Sequence, residues 1–280
     1  MKKILVPTDF SENSLNAIRY AVQLFKDQKC NFILLNTYTP VIYHVQYMEI
    51  GAAQFGVLDA MKQTSLTGLE TIQRTIETEF PNPNHIFSRI SAFNMLTTEI
   101  EQLYKENMME LIVMGTQGAS GLKEVLFGSN LIHVLNSTKC PLLAIPSNFT
   151  YETPKELLFP SDYGIDFTEK HLTELLNITA LHNSNINILH VLNADELTAT
   201  QKHNKQNLER YLNKSLHVFH TIQHHDISNA IANFQSESNI NLLAMINNKH
   251  SFFENLFFGS KVKKIGLHLN IPFLILPAKD

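Results

Sequence analysis

The chain has 280 residues, 44% of them hydrophobic and 17% charged, with a formal net charge of -4. That length and apolar content suit two domains of ordinary size, and the mild acidity provides no basic footprint for nucleic acid or an anionic membrane surface. Cys30 and Cys140 are the whole cysteine complement, too few for a disulfide framework, and no apolar run is long enough to span a bilayer, so a soluble cytoplasmic protein is expected.

Met1-Lys2-Lys3 runs directly into Ile4-Leu5-Val6-Pro7 with no signal-peptide core, and residues 4–6 read as a strand. Leu15, Ile18, Ala21, Val22 and Phe25 then recur at helical spacing, with Ser11 placed to cap the helix. A buried strand is expected over 32–35. Residues 38–61 contain Pro40, Gly51 and Gly56 without clean periodicity, which reads as a long loop or lid running into a helix. Leu58, Met61, Ser65, Leu69, Ile72 and Ile76 carry that helix forward. A strand over 86–90, a helix over 96–104 and a strand over 111–114 follow. Leu131, Ile132, Val134 and Leu135 then face one side of a helix, and 140–145 closes the half as a strand.

The second half gives the same order, with strands at 157–159, 186–191, 216–219, 242–246 and 273–276 alternating with helices at 172–178, 197–212 and 227–234. Self-similarity supports the division. KKILVPTDF at 2–10 is echoed by KELLFPSDY at 155–163, and 111–146 aligns without a gap to 242–277. Met114 then meets Met245, Phe127-Gly128-Ser129 meets Phe258-Gly259-Ser260, and Pro141 meets Pro272. The offsets are 153 and 131 residues, so the second half is 22 residues shorter in between, with 38–61 as the expected extra piece. The expected fold class is α/β. Two tandem doubly wound domains, 1–148 and 153–280, would each hold a mostly parallel five-stranded sheet with helices on both faces, joined near 146–154.

MGTQGASGLKEVLFGSN at 114–130 follows the apolar run Leu111-Ile112-Val113 and holds four of the ten glycines. In an open parallel sheet, ligands bind beyond the strands' C-terminal ends where the chain direction reverses. Gly115 and Gly118 could bring bare backbone to a ligand there, and Gly128-Ser129 sits where the next helix begins, with unpaired N–H groups and a positive dipole end. That chemistry suits phosphate. Ser129 adds a hydroxyl, and Lys123 lies in the intervening loop. An isolated pair of glycines would be turn residues only, but here G-x2-G-x9-G-S is flanked by a strand and a helix, with Pro7-Thr8-Asp9 ending the first strand.

On these residues the sequence resembles the universal stress protein family, whose ATP-binding members share this spacing and an Asp after the first strand. The resemblance spans nearly the whole chain as two copies, strongest over 1–146, and implies a Rossmann-like fold of the adenine nucleotide alpha hydrolase type. It implies that Asp9 holds the adenosine portion, that the Thr37 backbone meets adenine, and that Pro7 and Thr8 shape that edge. Gly115 would lie by the ribose, and Gly118, Gly128, Ser129 and the Asn130 N–H would surround the phosphates. The implied cofactor is ATP, with or without Mg. Asn36-Thr37 departs from the family's usual His-Val. The bland alternative for Asp9 is a capping role near Ser11.

The second copy keeps Pro160-Ser161-Asp162 and Gly259-Ser260, but Ile246 and Lys249 replace the first two glycines, so a degenerate, mostly structural domain is expected. Family resemblance implies pairing through 140–145 and 273–276 as an internal pseudo-dimer, with a homodimer as a further step. Phe252, Phe253, Phe257 and Phe258 fit either an interface or simple core. His217, His220, His224, His225 and Asp226 are clustered, yet no metal site is expected, because strand alternation separates the first two and no zinc frame supports them. There is no P-loop and no placed catalytic constellation, so no catalytic residue is assigned. The expected function is ATP binding in the first domain by a stress-linked sensor or regulator with an unidentified protein partner. A slow ATP hydrolase and a nucleotide-free scaffold are the alternatives.

Overall fold

A computed structural model of the chain describes residues 1–39, 52–116, 127–192, 196–224, 226–248 and 270–278. Two compact units divide it, Met1–Cys140 and Pro141–Asp280. The first unit runs β1 (Lys2–Pro7), α1 (Glu12–Leu24), β2 (Cys30–Thr37), α2 (Ala52–Glu79), β3 (His85–Ala92), α3 (Leu96–Lys105), β4 (Leu111–Gly115) and α4 (Ser129–Ser137). Its strands are parallel in the order β3-β2-β1-β4. The chain therefore steps outward from β1 to β3 and then crosses back to β4 on the other side of β1. Because such crossovers are right-handed, α3 and α4 come to the face opposite α1 and α2, and each pair packs together. The reversal point lies between β1 and β4.

Burial explains the sequence pattern. Ile4, Leu5, Val6, Phe32, Leu34, Leu35, Leu111, Ile112 and Val113 are fully buried, so the central strands read as continuous apolar runs covered on both faces. The outer strand β3 is mixed, with Ile86 and Arg89 exposed. Helix α1 is amphipathic and buries Ala17, Ile18, Tyr20, Ala21, Val22 and Leu24. Each large side chain there is worth roughly 1.5–3 kcal/mol of burial, so a charged residue at Ile18 would detach the helix from β4.

The second unit contains β5 (Leu142–Ile145), β6 (Glu156–Pro160), α5 (Glu169–His182), β7 (Asn185–Leu192), α6 (Ala199–Leu212), β8 (Leu216–Gln223), α7 (Ile227–Glu237), β9 (Leu242–Asn247) and β10 (Phe273–Pro277). Strands β10-β9-β6-β7-β8 are parallel neighbours, which repeats the order of the first unit. Strand β5 runs antiparallel to β10, with Ala144 opposite Phe273 and Leu142 opposite Ile275. The α/β class with a mostly parallel sheet is thus present in both units.

Helix α2 has 28 residues and its counterpart α6 has 14. Most of the length difference between the halves is therefore helix rather than loop. The helix already begins at Ala52, ahead of the apolar stripe at Leu58, and residues 40–51 of the expected lid lie outside the described residues. Among the described residues no helix is long and apolar enough to cross a membrane.

Candidate functional site

The turn leaving β1 is built from four short polar side chains, Thr8, Asp9, Ser11 and Ser14. Ser11 caps α1 by accepting the Ser14 N–H at 3.2 Å, and the Ser14 hydroxyl donates to the Ser11 carbonyl at 2.9 Å. That uses the one Ser14 hydroxyl proton, so the Thr8 hydroxyl donates to Ser14 Oγ (2.9 Å) while accepting the Phe10 N–H (3.0 Å). Asp9 Oδ1 accepts both the N–H and the hydroxyl of Ser11. Asp9 is therefore not the cap; it braces the residue that is. These bonds hold Phe10 at φ 65°, a left-handed conformation that costs a non-glycine residue roughly 1–2 kcal/mol.

The second repeat reproduces this turn. Tyr163 has φ 54°, its N–H donates to Ser161 Oγ at 3.0 Å, and the Gly164 N–H donates to Asp162 Oδ1 at 2.8 Å. The echo of PTDF in PSDY is thus an echo of hydrogen bonding. Burial raises the Tyr163 phenol above its ordinary range.

At the end of β2, buried Asn36 donates from Nδ2 to the Thr8 carbonyl at 2.8 Å. Its counterpart His190 in β7, also buried, uses Nδ1 on the Ser161 carbonyl at the same 2.8 Å. Asn36 thus supplies the same donor as an imidazole and ties the ends of β1 and β2 together. The Leu35 carbonyl accepts the Thr8 N–H, and the Tyr38 N–H donates to the Ala92 carbonyl. Strand groups alternate in direction, so the main chain of Thr37 faces the β1 side, where β1 has already turned away. One donor and one acceptor are presented there.

Gly115 ends β4. A Cβ there would lie 2.5 Å from Asn13 Nδ2 and 2.7 Å from its Cγ, so the missing side chain makes room for a residue of α1. After the segment 117–126, which lies outside the described residues, the Gly128 N–H donates to the Thr116 carbonyl at 2.7 Å. Gly128 caps α4 at φ -63° and ψ 156° without any side-chain cap bond, and the first turn contains no acidic residue. An N-cap without an acceptor leaves first-turn N–H groups to be satisfied from outside the helix, and the dipole favours an anion. A backbone at these angles accommodates any residue, so glycine matters here for what it lacks.

These elements open on one pocket of about 820 Å³ at the sheet's reversal point. Pro7, Thr8, Asp9, Thr37, Gly115, Gly128, Ser129 and Asn130 all line it. Gly118 and Lys123 lie outside the described residues. The pocket also takes in Tyr38, the start of α3 (Asn94, Met95 and Thr97), and His133 and Ser137 of α4, which the sequence reading missed. The start of α3 reaches the site only because the crossover from β3 brings it there, which leaves no local signal. His133 and Ser137 were findable, since they follow Ser129 at intervals of four. Among the described lining residues Asp9 is the one carboxylate, and no Lys or Arg is present.

At the second repeat's equivalent of Gly115 stands Ile246, 9% exposed. Lys249, Phe252, Phe253, Phe257, Phe258, Gly259 and Ser260 lie outside the described residues. The histidines of β8 have protein partners: His217 Nδ1 meets the Ser215 carbonyl at 2.9 Å and His220 Nε2 meets Asn187 Oδ1 at 2.9 Å. Desolvation lowers the pKa of His220. His224 Nδ1 accepts the Asp226 N–H, and Asp226 caps α7. His225 lies outside the described residues, and among those described no group of three or more metal-ligating side chains forms.

Comparison with known proteins adds the lineage. The sequence profile of the universal stress protein family matches residues 1–146. Universal stress protein MJ0531 of Methanocaldococcus jannaschii is 25% identical over 154 residues, covering 51% of this chain and 81% of the relative. Universal stress protein YxiE of Bacillus subtilis is 26% identical over 145 residues, covering 51% of this chain and 97% of its own. A universal stress protein of Archaeoglobus fulgidus shares the fold over 99% of this chain and 98% of its own, at TM-score 0.72 and 18% identity.

Proposed function

The chain belongs to the universal stress protein family, and we propose that it is a tandem member whose first unit binds ATP and reports its occupancy to a protein partner in the stress response. The observation that carries this reading is the convergence, in one pocket, of Asp9, the outward-facing main chain of Thr37 and the glycine-capped start of α4. Its volume of about 820 Å³ falls in the range of small-molecule sites. In this reading Thr37 meets the adenine edge through one donor and one acceptor, and Pro7 and Thr8 form the wall beside it. Asp9 holds the adenosine portion and Gly115 admits the ribose. Gly118, Gly128, Ser129 and Asn130 surround the phosphates, and Mg enters with the nucleotide.

Binding rather than turnover is favoured, because the carboxylate of Asp9 already braces Ser11 and no second carboxylate lines the described pocket. The second domain is read as degenerate: the buried residue Ile246 brings a side chain to the position where the first unit has Gly115. The full chain, purified without added ligand and then denatured, is expected to release an adenine nucleotide at up to one per chain. Empty protein that also takes up no added ATP would overturn the reading.

A further inference from the structure

An ATP phosphate chain carries several negative charges, and the described walls of this pocket offer little to meet them. Among the described residues no Lys or Arg lines it, and Asp9 adds a charge of the wrong sign. Beside the amides at the start of α4, the described lining side chain that offers an imidazole N–H to an anion is His133. We propose that His133 is the residue by which the site counts phosphates, favouring a nucleoside triphosphate over a monophosphate. This inference rests on the nucleotide reading above and goes beyond it by assigning the selectivity to one side chain.

Helix geometry places the residue. Ser129 is the first residue of α4, and His133 follows four positions later, roughly 6 Å further along the axis and on the same face. Every Cα–Cβ bond in a helix tilts toward the N-terminus, so the exposed His133 side chain leans back over the turn that begins at Ser129. Its imidazole is thus carried over the ground beside the N-terminal amides. The α and β phosphates of a bound nucleotide lie against those amides, and the terminal phosphate extends to the imidazole, which donates a hydrogen bond to it. A monophosphate ends short of His133 and gains nothing from it. Ser137, one turn further on, lines the same wall and marks its far end.

The test is calorimetry of ATP, ADP and AMP binding to the full chain and to His133→Ala, His133→Gln and His133→Lys. The wild-type chain prefers ATP to AMP. His133→Ala weakens ATP binding about tenfold, the scale of one hydrogen bond to a charged group, and leaves AMP unchanged. His133→Lys, which restores an N–H donor of similar reach, recovers the preference, and His133→Gln recovers part of it. A wild-type chain that binds ATP while His133→Ala keeps the same ATP-to-AMP ratio overturns this inference and leaves the site standing. A wild-type chain that binds none of the three overturns the nucleotide reading and this one with it.

Discussion

Gly115 has two possible reasons to be glycine, room for Asn13 and room for a ligand, and a double-mutant cycle separates them. An alanine Cβ at 115 would sit 2.5 Å from Asn13 Nδ2, 2.7 Å from Cγ and 2.9 Å from Oδ1, whereas ordinary contacts begin at 3.4 Å. The carboxamide must therefore withdraw by about 1 Å. Asn13 is only half-buried, so it can swing aside, and the expected cost of Gly115→Ala is about 1–2 kcal/mol, the lower part of the range for overpacking. At roughly 2–4 °C per kcal/mol, this lowers the melting temperature by several degrees. In an Asn13→Ala background the same change should cost less than about 0.5 kcal/mol, giving a coupling near 1 kcal/mol. Scanning calorimetry of the four proteins measures it. Equal costs in the two backgrounds would refute the packing explanation. If the packing is neutral in the double variant, any loss of nucleotide affinity there reports the approach of the ligand itself.

Two further outcomes follow from polar side chains held inside the fold or at its margin. Asn36→Leu keeps the branched shape but removes the donor to the Thr8 carbonyl and should cost about 1–3 kcal/mol, as for an unsatisfied buried acceptor; urea denaturation checks it, and an unchanged midpoint would show the bond to be inert. Desolvation lowers the pKa values of His85 and His220, despite the bond from His85 Nε2 to the Phe25 carbonyl. Between those lowered values and the ordinary value of about 6.5 the unfolded chain binds more protons, so stability is full above that pH and declines as pH falls below it. Urea midpoints at pH 7.5 and 5.5 should differ in that direction, and the difference should shrink in the His85→Gln, His220→Gln double variant.

Much of the fold was legible in the sequence because the central strands are buried on both faces. Leu111-Ile112-Val113 and Phe32-Ile33-Leu34-Leu35 can hardly be anything else, and Ser11 announces its helix by chemistry that acts over three residues. The repeated Pro-Thr/Ser-Asp was visible as letters, but its meaning, a left-handed Phe10 or Tyr163 pinned by a hydroxyl, needed the backbone. Asn36 read as a departure from a family habit, and only the register of β1 on β2 shows that it donates to the same carbonyl as the imidazole of His190. The start of α3 was not legible at the site at all, since its nearness to β4 is a product of the crossover and of no local pattern. The stretch 38–61 reads in sequence as a loop or lid running into a helix, and its residues 40–51 lie outside the described residues. The residues from Ala52 onward are helix, and the stripe beginning at Leu58 concealed the two turns ahead of it.

The most direct trial of the account is titration of ATP into the purified full chain and into Gly128→Val, a substitution the backbone at that position tolerates. The account predicts saturable binding to the wild-type chain, at one nucleotide per chain, and its loss in the variant while the melting temperature falls by only a few degrees, the cost of a poorer N-cap. Full ATP affinity in Gly128→Val, or silence from the wild-type chain, would contradict it.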